Sequence, residues 1–223
     1  MNLSSTMKIS LALSGAILLV IITFIIVAVV QAPSPAAAPG ADESTTTESV
    51  LRPDTRILDD AGDGAVTLVE FLDFECEACG AFYPVVEELR EDFAGEVTFA
   101  FRYFPLPSHV NSVNAALAVE AAAQQGKLEE MFARMFETQI EWGESQESRA
   151  GLFRQYAEEI GLDLAEYDAA ITAPETLERV RADFDAGVAL GVQSTPTFFL
   201  NDRPVQLSSF EDLRAALEAE LQR

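Results

Sequence analysis

Histidine occurs once in this chain of 223 residues, cysteine twice, and Lys plus Arg number only 14 against 37 Asp plus Glu, a formal net charge of −23. Each shortage excludes something. A structural zinc site takes four ligands, usually Cys or His, so two cysteines and one histidine do not make one, and no metal site is expected. Two cysteines also fall short of the framework of a disulfide-stapled miniprotein, although they suffice for one bridge. A surface so poor in cations repels phosphate backbones, which argues against a nucleic-acid partner. Before residue 54 the only charged side chains are Lys8, Asp42, Glu43, Glu48 and Arg52, so the acidic excess belongs to the part that follows. That part, residues 54–223, is long enough for one domain whose core needs no staple.

What is present begins with a long apolar run. Ile9 to Val30 is free of charge, follows Lys8 and precedes a Pro/Ala stretch. It is long enough to cross a bilayer as a helix, and longer than the usual apolar stretch of a cleaved signal. A cleaved signal is the alternative, with cuts after Ala32 or Ala38, but each places a proline, Pro33 or Pro39, directly after the cut. We read residues 1–8 as a cytoplasmic N-terminus, 9–30 as a transmembrane anchor or uncleaved signal, and 31–53 as a linker rich in Pro, Ala, Ser and Thr. The expected location of the domain is the extracytoplasmic side of a bacterial cell membrane.

From Asp54 onward the pattern is globular. A short strand is expected near Thr55–Leu58. Val66–Phe74 (VTLVEFLDF) and Val97–Phe104 (VTFAFRYF) have the length and β-rich composition of buried strands. Between them Phe82, Val85, Val86, Leu89 and Phe93 recur at helical spacing, with Pro84 expected to kink the helix. Strand, helix, strand is the unit of a parallel sheet. Helical patterns then fill about 110–190, including an Asp163/Glu166 capping pair and a helix opened by Pro174 with Leu177, Val180, Phe184 and Val188 on one face. Trp142 and the Met/Phe stripe of 128–140 read as core. The β signal returns at Thr197–Leu200, followed by a turn at Asn201–Asp202, a hairpin partner at Pro204–Leu207 and a last helix burying Phe210, Leu213, Leu217 and Leu221.

Cys76-Glu77-Ala78-Cys79 stands at the first strand-to-helix junction. Thiols three apart at a helix N-terminus can close a disulfide, and the unpaired N–H groups and the helix dipole favour a thiolate on the first of them. An inert structural bridge over so short a loop would restrain the unfolded chain very little. Redox chemistry is the better reading.

The segment VTLVEFLDFECEAC resembles the active-site segment of the thioredoxin superfamily, and Gly191-Val192-Gln193-Ser194-Thr195-Pro196-Thr197 resembles its cis-proline loop. With a helical block between the two motifs, residues 54–223 are similar to the DsbA-type thiol:disulfide oxidoreductases, a thioredoxin-like α/β fold with an inserted α-helical domain. The resemblance implies that Cys76 is the exposed attacking cysteine and Cys79 the buried resolving one, together a redox-active disulfide. It places Thr195 and Pro196 against the pair as the site of an extended substrate peptide, and matches Glu70 to a buried acid that relays a proton to Cys79. His109 reads as a packing or capping residue. No cofactor is implied. The implied partners are exported proteins with thiols or disulfides and a membrane redox partner of the DsbB or vitamin K epoxide reductase type; a monomer is expected. DsbA commonly has Pro-His between its cysteines, where Glu77-Ala78 stands here. Negative charge at Glu75 and Glu77 is therefore expected to raise the Cys76 pKa relative to that Pro-His case and make the disulfide less oxidising than in DsbA. The same site run in reverse, as a reductase or isomerase, and a non-catalytic peptide-binding or chaperone module are the alternatives.

Overall fold

A computed structural model describes residues 49–223. The anchor and most of the linker lie outside the described residues, and among those described no helix is long and apolar enough to cross a membrane. Five strands form one mixed sheet in the order β1-β3-β2-β4-β5: β1 (Arg56–Asp59), β2 (Val66–Leu72), β3 (Val97–Tyr103), β4 (Thr197–Leu200) and β5 (Arg203–Pro204). β2 runs parallel to β3, with Val66 opposite Val97 and Leu72 opposite Tyr103. β1 pairs antiparallel with β3, and β4 with both β2 and β5. Helix α1 (Glu77–Asp92) connects β2 to β3. Between β3 and β4 comes the insert: α2 (Ser112–Gln124), α3 (Leu128–Glu137), α4 (Gln139–Trp142), α5 (Ala150–Glu159), α6 (Leu164–Ala170) and α7 (Pro174–Ala189); α8 (Glu211–Leu221) closes the chain.

The two-residue alternation of β2 sorts its side chains between two cores. Leu68 and Leu72 face α1, α8 and most of the insert, in one cluster with Val86, Leu89, Met131, Trp142, Leu213 and Leu217. Val69 and Phe71 face the other way, toward Phe104, Val192 and the flank of α7. Glu70 shares the first face and therefore lies beneath the start of α1. Trp142 is fully buried, edge-on to Phe153 at 4.8 Å, and belongs to the core as expected. Asp163 caps α6 by accepting from the amides of Ala165 and Glu166, at 2.8 and 3.0 Å.

Three local expectations change. The folded part is already in place at Val50, which is buried and whose carbonyl accepts from Arg102, because the second core extends past the sheet to receive it. The strand partner in the hairpin is only Arg203–Pro204, with one further bond from the Val205 amide to the Phe198 carbonyl at 2.8 Å. Phe210 and Val188 are largely exposed, 43% and 55%; α8 starts after Phe210, so that residue turns out of the helix's core-facing stripe.

Candidate active site

The cysteines sit where β2 ends and α1 begins. Cys76 is the N-cap residue, with extended backbone, and Cys79 lies in the first turn. Both are free thiols, Cys76 8% exposed and Cys79 1%. Cys76, expected to be exposed, is thus itself buried under the cis-proline loop, though less deeply than Cys79, because the N-cap side chain stays at the helix end while the residue three on turns into the core.

The Cys76 pKa is lowered to about 5. The chief cause is donation from the Cys79 thiol, joined by the Thr195 side chain and the amides of Cys79 and Ala78, all acting against the cost of burial. Cys79 moves the opposite way, well above the ordinary thiol value, because burial, Cys76 and Glu70 all disfavour its anion. The pair is thus poised with the proton on the inner sulfur and the charge on the outer one. Glu75 and Glu77 are not among the chief groups that shift Cys76. Glu75 is buried and turned away, its carboxylate accepting the Asn111 amide at 2.5 Å, and Glu77 projects into solvent. Proximity in sequence is not proximity to the sulfur, and Ala78 contributes through its backbone N–H rather than through its side chain.

The Thr195–Pro196 bond is cis and brings Thr195 against Cys76, whose Sγ donates to the Thr195 carbonyl at 3.4 Å. The Thr195 hydroxyl is buried with no other hydrogen-bond partner among the described residues, so it is available to donate once Cys76 ionises. Thr195→Val is expected to raise the Cys76 pKa by about one unit, the worth of one hydrogen bond to a charged group. Thiolate absorbance followed against pH measures it, and an unmoved midpoint would show that the hydroxyl plays no part.

Glu70 is central in the sheet, paired through β2 with both β3 and β4, and is 7% exposed. Burial first, and the Cys76 charge second, push its pKa up to about 8. Its Oε1 has no partner among the described residues. A neutral carboxyl in this place can give a proton to Cys79 when that sulfur leaves a disulfide, and take it back when Cys79 attacks. Glu70→Gln is expected to slow exchange by about 10²-fold near neutral pH, at the low end of general acid–base effects, and to remove the inflection near pH 8 from the rate profile. A variant with wild-type rates at every pH would exclude the relay.

One side of the centre was not singled out in the sequence. Asp73 is 1% exposed; its Oδ1 accepts from the Glu75 amide at 2.9 Å and its Oδ2 from the Leu106 amide at 2.8 Å, and His109 Nδ1 lies 2.7 Å from that same Oδ2. His109, expected to be a packing or capping residue, is thus half of a buried-acid pair, and its pKa is raised: the Asp73 hydrogen bond and charge, with smaller help from Cys76 and Glu75, outweigh the cost of burial. The one sequence signal for Asp73 was an acid inside an apolar strand run, three residues before Cys76. On the opposite side, a groove of about 480 Å³ opens beside Pro196, walled by Phe82, Phe198, Leu207 and Phe210. The exposure of Phe210 follows from this, since its ring stands 4.6 Å from that of Phe82.

Fold and site together define a thioredoxin-like domain with a CxxC pair at the start of its first helix. The chain belongs to the thioredoxin family, whose sequence pattern, described as Thioredoxin, matches residues 61–219. Its solved structural neighbours include BdbD from Bacillus subtilis in the oxidised form (TM-score 0.67, 23% identity, 76% of this chain and 94% of that one). A thioredoxin-like oxidoreductase from Silicibacter pomeroyi (0.66, 26%, 81% and 99%) and alpha-DsbA1 from Wolbachia pipientis (0.66, 19%, 77% and 93%) share the fold as well. These neighbours make the architecture DsbA-like. Among curated proteins the chain is similar to Na(+)/H(+) antiporters NhaA 1, such as that of Mycobacterium sp. (strain KMS), 37% identical over 146 residues. The match covers 63% of this chain but only 22% of the antiporter, so it concerns a segment of that protein.

Proposed function

We propose that the protein is a membrane-tethered, extracytoplasmic disulfide oxidase. The observation that carries this reading is the place of Cys76 at the N-cap of α1, where the Cys79 thiol and the amides of Ala78 and Cys79 lower its pKa to about 5. A dithiol stabilised in this way makes the corresponding disulfide easy to reduce, and such a disulfide oxidises other thiols. In the forward direction a substrate thiolate attacks Cys76 Sγ of the Cys76–Cys79 disulfide. The Cys79 sulfur leaves with the bond's electron pair and takes a proton, for which Glu70 is placed. A second substrate thiolate then attacks the substrate sulfur of the mixed disulfide, and Cys76 leaves as the favoured anion. Two electrons pass from the substrate dithiol to the cysteine pair, and no cofactor enters.

The groove beside Pro196 suits an extended apolar segment of the substrate, with the Thr195 backbone beside the sulfur for strand-like pairing. Reoxidation requires an acceptor, for which a quinone-linked membrane protein of the DsbB or vitamin K epoxide reductase type fits the tether read at residues 9–30. The substrates are exported proteins carrying thiols. Two measurements test direction: equilibration with glutathione, expected to give a potential above that of thioredoxin and below the roughly −120 mV of DsbA, and alkylation trapping in intact cells, expected to find the pair mostly as disulfide. A potential near that of thioredoxin, roughly −270 mV, with a mostly dithiol pair in cells would make the protein a reductase.

A further inference from the structure

The chain leaves β2 and must turn at Phe74–Cys76 before α1 starts, and this turn carries carbonyls that point away from any strand partner. The Cys76 carbonyl accepts the Gly80 amide at 3.1 Å, the first bond of α1. A second donor comes from far along the sequence. Gln139, the first residue of α4 in the insert, is 9% exposed, and its Nε2 donates to the Phe74 carbonyl at 2.7 Å and to the Cys76 carbonyl at 2.9 Å. An amide nitrogen has two hydrogens, and both are used on the backbone that carries the reactive sulfur.

The other end of this amide explains Gly80. A Cβ built at Gly80 would fall 2.0 Å from Gln139 Oε1 and 2.8 Å from its Cδ, so the side chain occupies the volume that glycine leaves open. Gln139 is itself fixed. Its carbonyl accepts the Gly143 amide at 2.7 Å, and one turn on, the buried Trp142 donates to the Met135 carbonyl at 3.3 Å and stands against Phe153. The insert core thus holds a side chain rigidly into the backbone of the CxxC turn.

We propose that Gln139 is a positioning residue of the redox centre: by pinning the carbonyls of residues 74 and 76 from the helical insert, with Gly80 as its socket, it sets the turn that aims the α1 amides at Cys76 Sγ. The amides of Ala78 and Cys79 are among the groups that stabilise the Cys76 thiolate, and their direction follows the carbonyls on the same turn. Without the pin two buried carbonyls lose a donor, the turn relaxes toward other partners, and the amides swing off the sulfur. The inference rests on Cys76 being the thiol that ionises, and is independent of the direction in which the enzyme works.

The test uses the full chain as wild type, Gln139→Met, Gly80→Ala, Gln139→Ala and the double variant Gly80→Ala/Gln139→Ala, reading thiolate absorbance and alkylation rate against pH beside thermal melting. Methionine keeps the bulk of Gln139 without its donors. Gln139→Met and Gly80→Ala are each expected to move the Cys76 midpoint upward by about one unit, and Gly80→Ala is expected to add almost nothing once Gln139→Ala has emptied the socket. Should Gln139→Met fail to fold, Gly80→Ala and the double variant carry the same comparison. Lower melting temperatures with an unmoved midpoint would reduce Gln139 to a structural contact and overturn the proposal, as would additive effects of Gly80→Ala and Gln139→Ala. A wild-type protein with no thiol titrating near pH 5 would instead overturn the reading of Cys76, and this proposal with it.

Discussion

Cys76→Ser is expected to bring disulfide exchange down to the rate of the small-thiol control alone, in insulin reduction and in refolding of a reduced substrate alike. Cys79, 1% exposed and with its pKa driven up, cannot replace the outer thiol as nucleophile. Cys79→Ser is expected to behave differently: Cys76 still attacks, nothing resolves the product, and mixed disulfides with substrates accumulate. A Cys76→Ser protein with full activity would place the chemistry elsewhere, or leave only a peptide-binding module. The same thiol also controls how stability depends on pH. Its folded pKa, about 5, lies below the ordinary 9.0, so across that interval the unfolded reduced chain holds a proton that the native one has released. The stability of the reduced form over the disulfide form should therefore rise with pH between 5 and 9, be lost as pH falls through 5, and decline again above 9 as Cys79 ionises in the unfolded chain alone. Cys79 is protonated in both states below pH 9 and leaves the slope unchanged. Paired denaturation of reduced and oxidised protein checks this, and Cys76→Ser should remove it.

The largest stability effect is expected at a site remote from the sulfurs. Arg102 in β3 and Asp183 in α7 are both completely buried, with Arg102 Nε 2.8 Å from Asp183 Oδ1. Asp183 also accepts the Tyr103 amide at 3.2 Å and lies 2.8 Å from Arg179 Nη1, while Arg102 Nη1 reaches the carbonyls of Ser49 and Val50, both at 3.3 Å. The cluster joins the sheet, the last helix of the insert and the segment arriving from the linker. Asp183→Ala strands two guanidinium groups, one of them fully desolvated, and is expected to cost about 3–5 kcal/mol. Arg102→Met together with Asp183→Leu should recover most of this loss, because the charges then vanish together. Urea unfolding with unchanged m-values measures both. A single variant within about 1 kcal/mol of wild type would mean that the pair is solvated in practice.

Much of the scaffold was legible because it rests on short-range pattern. The apolar runs at 66–74 and 97–104, the helical spacing from Phe82 to Phe93 and the Asp163 cap each depend on neighbours a few residues away. The elements that departed from expectation depend on distant partners. Val50 is ordered by Arg102 and the second core, and Phe210 is left outside α8 beside the ring of Phe82. Of the site, the positions of Cys76, Cys79, Glu70, Thr195 and Pro196 could be named from the two motifs. Their electrostatics could be read only in part: the Cys76 anion and the raised Glu70 were expected, the remote donors were not. Glu75 and Glu77 flank Cys76 in the chain, yet one bonds to Asn111 and the other faces water, while the groups that act on the sulfur include Thr195, 119 residues away.

The two cysteines and their spacing are a property of the sequence alone, as is the shortage of cysteine that allows one thiol pair at most. That Cys76 carries the charge follows already from its place at the helix start; which distant groups stabilise it was decided by tertiary structure. The field at an atom sums over everything near it in space, and here those neighbours come from the first turn of α1, the cis-proline loop and the buried face of β2, with Gln139 of the insert bonded to the Cys76 carbonyl. Folding brings these together, and the order of residues around Cys76 does not reveal it.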